Sequence, residues 1–215
     1  MLALLRFFHT LLRPLAGPAA ATTDTCVTRW RVWPGDIDVF GHMNNSRYLV
    51  LMDLARIDFL RRCDLFKGVL RERWSVPVGA SHMNYRHALK PFERFELHTT
   101  LVTWDAQWFY FRQDFVRPAD RQRPVCTGYV KTLFAGRAGK VPTARVIASL
   151  HGAPLQRPVM TPDLREAMGL SADGPGHIDA DDCSDRGCAP DASESGAYTS
   201  AHDADRKIPA VRHGA

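Results

Sequence analysis

Between Asp36 and Tyr48 the chain gathers Asp36, Asp38, Gly41, His42, Asn44, Asn45 and Tyr48 in one short stretch. Two carboxylates stand before a glycine, and two asparagines follow where an apolar helix can begin. Free backbone N–H groups at a helix start, together with the helix dipole, stabilise negative charge. A carboxylate held nearby and partly desolvated can serve as nucleophile or general base. That combination suits acyl transfer, in which an oxyanion develops on a carbonyl oxygen. The same spacing also describes an Asp-rich turn with an asparagine capping the helix. Spacing alone leaves both readings open. A coupled Asp36–Asp38 pair is a further arrangement, since close carboxylates raise one another's pKa.

Other chemistries lack their residues. No Gly-x-Ser-x-Gly turn is present for a serine hydrolase, and no Gly-rich loop ends in Lys-Ser or Lys-Thr. His98, His151 and His177 have no partners at ligand spacing, and Cys183 and Cys188 lack a second ligand pair, so no metal is expected. The five cysteines are odd in number and widely spaced, which argues against a disulfide framework and fits a reducing cytoplasm. Residues 171–215 hold nine acids and four bases, a net of −5, while the whole chain carries +5. The body is therefore basic and suits an anionic partner such as a phosphorylated cofactor or an acidic membrane surface. No zinc spacing, aromatic–basic motif or dense Lys/Arg run points to nucleic acid.

The elements that must position the stretch are legible from periodicity. Cys26 to Trp33 alternates as a strand that Pro34-Gly35 ends. From Asn44 or Asn45 to about Arg62 runs the longest helical candidate, apolar around nearly its whole circumference and therefore buried. Trp74 to His87 reads as one long strand, or two broken near Pro77; Phe92 to Trp104, Trp108 to Val116 and Pro124 to Phe134 are further strands. Pro142 to Leu150 suggests a short closing helix. One helix against one antiparallel sheet is an α+β two-layer domain. The organisation expected is a leader and linker at residues 1–24, the main domain at 25–152, an extension at 153–170 and a disordered acidic tail at 171–215. In residues 1–16, Arg6, His9, Thr10 and Arg13 recur at helical spacing on an otherwise apolar segment. It reads as an interfacial amphipathic helix in peripheral contact with a membrane, as a helix packed on the domain, or as a frayed leader.

The stretch from Asp36 to Tyr48 resembles the hotdog thioesterases of the 4-hydroxybenzoyl-CoA type, which show Asp-x-Asp-x-x-Gly-His-x-Asn-Asn-x-x-Tyr. All seven named positions match, and Asp53-Leu54-Ala55-Arg56 is similar to the acidic-x-Ala-Arg step of that family's helix. A narrower likeness links Ala80-Ser81, Arg86, Phe95-Glu96 through Leu101, Trp104-Asp105 and Phe109-Tyr110 to the thioesterase superfamily member six group. The resemblance implies a hotdog fold, an antiparallel β-sheet wrapped around one long central α-helix. It implies that Asp38 attacks a thioester carbonyl or activates water, and that the N–H at Asn45 polarises that carbonyl. Gly41 would permit close approach of chain and substrate. His42 and Asn44 would shape the turn or contact substrate, and Asp36 would be structural. Tyr48 is carried over as a substrate-binding position. Ser81, His82, Asn84 and Arg86 are candidates for the partner subunit's side of the site, with an exposed polar strand face as the plainer reading. Asp53 and Arg56 read most simply as an intrahelical pair or a strut to the sheet.

The function expected is hydrolysis of an acyl-CoA to free acid and CoA, within lipid metabolism, with no cofactor and no metal. The assembly implied is a homodimer or a dimer of dimers. The alternatives are a non-catalytic acyl-CoA or lipid binder at a membrane surface, and a thioesterase acting on an acyl carrier protein.

Overall fold

The structure is a computed structural model that describes residues 2–14, 21–149 and 157–170. Along the chain run α1 (Leu2–Leu12), β1 (Cys26–Arg31), a 3-10 turn (Pro34–Asp36), α2 (Asn45–Arg62), α3 (Leu65–Arg71), β2 (Val78–Tyr85), β3 (Arg94–Trp104), β4 (Phe109–Val116), β5 (Cys126–Thr132), β6 (Phe134–Gly136), β7 (Gly139–Val141), α4 (Thr143–Ala148) and α5 (Pro162–Ala167). Five strands form one antiparallel sheet in the order β1-β3-β4-β5-β2, and β6 pairs with β7.

The period-two alternation that reads as strands supplies the surface on which α2 lies. Phe95 and Leu97 of β3, Phe115 of β4 and Val130 of β5 pack with Tyr48, Leu51, Met52 and Ala55 of α2. One turn and more further on, Phe59, Leu60 and Cys63 meet Leu101, Phe109 and Phe111. Gly128 lets the helix seat this closely: a Cβ there would stand 2.4 Å from Met52 Cε. The expectation of a helix apolar around its circumference needs two corrections. Arg56 and Asp58 are buried on α2, at 9% and 1% exposure, while Leu49 is 40% exposed. Arg56 reaches the buried Gln113 at 2.6 Å, and Gln113 in turn donates to Met52 C=O and Thr99 Oγ1. Asp58 is met by Arg13, Arg61 and Arg62.

The strand candidate at 74–87 divides near Pro77, as the second of its two readings has it. Ser75 bridges Ala135, and β2 begins at Val78. The candidate at 124–134 divides too, because Pro77 C=O takes the Leu133 N–H and separates β5 from β6. Helices α3 and α5 and the β6–β7 hairpin are additions that periodicity does not show. Leu164 of α5 packs with Tyr110 and Tyr129 on the sheet face away from α2.

Helix α1 lies on the domain with Arg6 and Thr10 of its polar stripe inward and His9 exposed. Arg6 and Thr10 are buried, and Arg61 donates to the carbonyls of Thr10 and Arg13. Leu4, Leu5, Phe8 and Leu12 face outward. Among the described residues no helix is long and apolar enough to cross a membrane. Residues 15–20 of the leader and linker, residues 150–156 with His151, and the tail at 171–215 with Cys183, Cys188 and His177 lie outside the described residues.

Candidate active site

Pro34 and Gly35 turn the chain out of β1 and lead into the two aspartates. Asp36 is 1% exposed. Arg6 binds both its carboxylate oxygens, at 2.8 and 2.7 Å, and the Trp33 N–H donates to Oδ2 at 2.9 Å. A carboxylate so fully engaged is an anchor. No hydrogen bond joins it to Asp38.

Asp38 is half-buried and closes its own turn. Its N–H donates to His42 C=O at 2.9 Å, and its C=O accepts from Gly41 at 3.1 Å. Oδ1 accepts from Phe40 N–H at 2.9 Å and, at the limit of a bond, from His42 N–H at 3.5 Å. Among the described residues Oδ2 accepts nothing. Gly41 has φ +79°, and a Cβ there would meet nothing within 4 Å. The backbone angle therefore requires glycine, not the room around it. His42 is exposed beside it.

The helix start is Asn44, whose Oδ1 accepts from the Ser46 N–H at 2.9 Å and the Ser46 hydroxyl at 2.7 Å. Asn45 is the first helical residue and is exposed; among the described residues no acceptor takes its backbone N–H. Two ties hold this start against the aspartate turn: Asn44 N–H donates to Asp36 C=O at 2.8 Å, and Ile37 bridges Met43. An unclaimed carboxylate oxygen and an unclaimed helix-start N–H thus belong to one braced loop. Such a loop can activate water and hold an oxyanion.

Tyr48 does not join them at the surface. It is 2% exposed, with its ring 5.2 Å from Tyr85 and 4.8 Å from Phe115. Burial pushes its phenol up to about 12. The substrate-binding position expected here is a core residue in this chain, because one helical turn beyond Asn44 points into the sheet.

The four candidates around β2 separate by face. Met83 packs against the α2 cluster and Tyr85 against Tyr48, which places Ser81 on that same side. His82, Asn84 and Arg86 turn the other way, into a cleft of about 410 Å³ shared with Arg112, Tyr129 and Glu166. Arg86 donates to Thr127 there at 2.9 Å. Strand alternation therefore splits a set that sequence proximity had joined. Asp53 and Arg56 form an intrahelical pair on α2 while Arg56 also reaches Gln113 of the sheet, and burial pushes the Arg56 guanidinium down against the lift from Asp53. Sequence reasoning missed Arg6 as the partner of Asp36. It also missed Val39 and Phe40 at the loop tip, 94% and 80% exposed. Among the described residues no group of three or more His, Cys, Asp or Glu could hold a metal ion.

Residues 32–168 match the thioesterase-like superfamily. The chain belongs to that family. The relative THEM6 of Danio rerio is 40% identical over 94 residues, which are 44% of this chain and 46% of that protein. The match thus spans less than half of the curated relative. The solved structure of the hypothetical protein TT1821 from Thermus thermophilus aligns with TM-score 0.50 and 27% identity over 58% of this chain and 98% of that one. An aspartate-to-asparagine variant of 4-hydroxybenzoyl-CoA thioesterase, complexed with 4-hydroxybenzoyl-CoA, aligns with TM-score 0.52 and 15% identity over 59% and 98%. That likeness shows the hotdog fold. Within the thioesterase-like superfamily, this chain contributes the braced Asp36–Asn45 loop described above, standing at the N-terminal end of the central helix.

Proposed function

We propose that this protein hydrolyses acyl-CoA thioesters. The observation that carries the reading is the free Oδ2 of Asp38 in the same braced loop as the free Asn45 N–H. Asp38 either takes a proton from water as it adds to the thioester carbonyl, or attacks that carbon itself to give an acyl-enzyme anhydride that water then cleaves. The helix-start N–H at Asn45 holds the oxyanion, and the C–S bond breaks to leave a carboxylic acid and CoA thiol. No cofactor enters these steps. Solved structures that share this fold include a gentisyl-CoA thioesterase and a 4-hydroxybenzoyl-CoA thioesterase, and these support a CoA thioester as the substrate class. The basic surface suits the phosphates of CoA.

The working unit in this reading is a homodimer, alone or paired into a dimer of dimers. Among the described residues strand β2 pairs only with β5, so its outer edge presents a row of N–H and C=O groups without a strand partner there. Two β2 edges joined antiparallel would bring the exposed Ser81 of each toward the partner's loop, together with Val39 and Phe40. The compartment in this reading is the cytoplasm, with α1 in contact with a membrane surface.

Purified protein should release free thiol from a panel of acyl-CoAs, and Asp38→Asn should lower the rate by about 10² or more. Unchanged turnover in that variant would remove Asp38 from the mechanism. A second reading, acyl-CoA binding without turnover, draws on the turn-closing bonds at Asp38 Oδ1, which give that residue a structural use. Calorimetric acyl-CoA binding with no thiol release across the panel would select it. Faster turnover of acyl-carrier-protein thioesters than of acyl-CoAs would move the substrate class to the carrier.

A further inference from the structure

Beside the Asp36 anchor, α1 borders a cleft of about 850 Å³ together with β1 and the start of β3. Its lining includes six arginines, Arg6, Arg13, Arg29, Arg31, Arg94 and Arg121, against two carboxylates, Asp58 and Glu96. Most of these cations are committed. Arg6 is held by Asp36, Arg13 by Asp58, and Arg29 and Arg121 by Glu96. Burial pushes the Glu96 carboxyl up, but hydrogen bonds from His98, Arg121 and Arg29 outweigh it and hold the group below its usual range.

Arg31 and Arg94 are different. They are directly opposite one another in the β1–β3 ladder, so their side chains leave the same face of the sheet. Neither pairs with an acid among the described residues; Arg31 reaches only the Trp33 ring. Like charges directly opposed across a ladder are destabilising unless an anion sits between them. Beside them, α1 turns outward Leu4, Leu5, Phe8 and Leu12, which are 62%, 61%, 50% and 78% exposed. An amphipathic helix normally buries its apolar side. Here Arg6 and Arg13 turn inward to ion pairs, Leu2, Phe7 and Leu11 are half-buried, and the other large apolar side chains are left out. Leu5 lines the cleft as well, so the apolar ridge and the cationic cleft adjoin.

We propose that this cleft binds the phosphate headgroup of an anionic phospholipid, held between Arg31 and Arg94, while the outward side of α1 enters the apolar layer of the same bilayer. The inference rests on the membrane contact of α1 stated above and adds to it a headgroup site, independent of turnover. Charge complementarity selects the occupant. A neutral apolar partner would cover the leucines and leave the two arginines opposed, whereas an anionic bilayer satisfies both.

The test is co-sedimentation of the full chain with vesicles of phosphatidylcholine alone and of phosphatidylcholine mixed with phosphatidylglycerol. The wild type should bind the anionic vesicles far more tightly, with binding weakening as salt rises. Arg31→Gln/Arg94→Gln should lower that binding by roughly 30-fold. The same variant should melt no lower than wild type, since its loss relieves a repulsion, and this separates a lost site from a lost fold. Leu5→Gln/Phe8→Gln, at exposed positions, should also weaken binding. Equal binding of wild type to both vesicles would keep the bilayer contact and overturn the headgroup site. Absence of binding to either would overturn both. Unchanged binding of the arginine variant overturns the proposal. So does release of the wild type from vesicles by free CoA, which would make the cleft a site for the phosphates of CoA.

Discussion

Asp38 and Asp36 are the same residue type two positions apart, and their surroundings give them opposite uses. Asp36 has a buried guanidinium on both oxygens, while Asp38 keeps one oxygen unclaimed at a half-open surface. Between them and the helix, Gly41 holds a left-handed angle. Gly41→Ala should destabilise the fold by about 1 to 2 kcal/mol, read from the denaturant midpoint, because an L residue is strained there even with open space around it. Tyr48 offers a test with a sign. Its phenol is raised from 10 to about 12, chiefly by burial, so the native state holds that proton more tightly than the unfolded chain. The associated stability is complete below pH 10 and is lost as pH rises through about 12. Tyr48→Phe should flatten this alkaline fall in denaturant stability. An unchanged slope would show that the phenol is not shielded. The motif identified all these residues, yet it does not carry the burial of Tyr48. A pattern records spacing, and burial depends on the sheet beneath the helix.

At the scale of elements, the decisive contact joins the first helix to the candidate loop. Arg6 of α1 is 30 residues from Asp36 in the chain and grips it in a buried pair. Asp36 in turn receives Trp33 N–H, and its carbonyl receives Asn44 N–H, so α1 braces the turn on which Asp38 rides. Removing one member of such a pair leaves the other charge buried and alone. Arg6→Gln should cost about 3 to 5 kcal/mol in urea unfolding, and Arg6→Gln/Asp36→Asn should regain most of it. A double variant as unstable as the single one would show that the helix matters for packing rather than charge. Periodicity in residues 1–16 did reveal an amphipathic helix, and it left open whether the helix packs or floats. It could not show that the polar side would be the packed one, because that depends on Asp36 and Asp58 waiting beneath it.

For the whole molecule, the open edge is β2. Both faces of that strand are largely exposed, and among the described residues no strand pairs with its outer edge. Sedimentation equilibrium should return twice the 24.1 kDa of one chain, or four times it. Ser81→Glu, which sets like charges against each other across a two-fold strand pair, should raise the dimer dissociation constant at least tenfold. A wild-type protein that sediments as a single chain would remove the dimer.

The amino-acid sequence by itself determined the element types, the antiparallel α+β layering and the loop where chemistry can reside. These follow from local rules: alternation makes strands, a nearly apolar helix must be wrapped, and Gly41 and Asn44 shape the turn and cap wherever the chain goes next. Only the tertiary structure decided which aspartate is free, which side of α1 meets the domain, and that Ser81 rather than His82 takes the α2 side of the sheet. Those outcomes depend on charges brought together from distant positions and on the face toward which a strand turns. Residue spacing along one chain does not contain either.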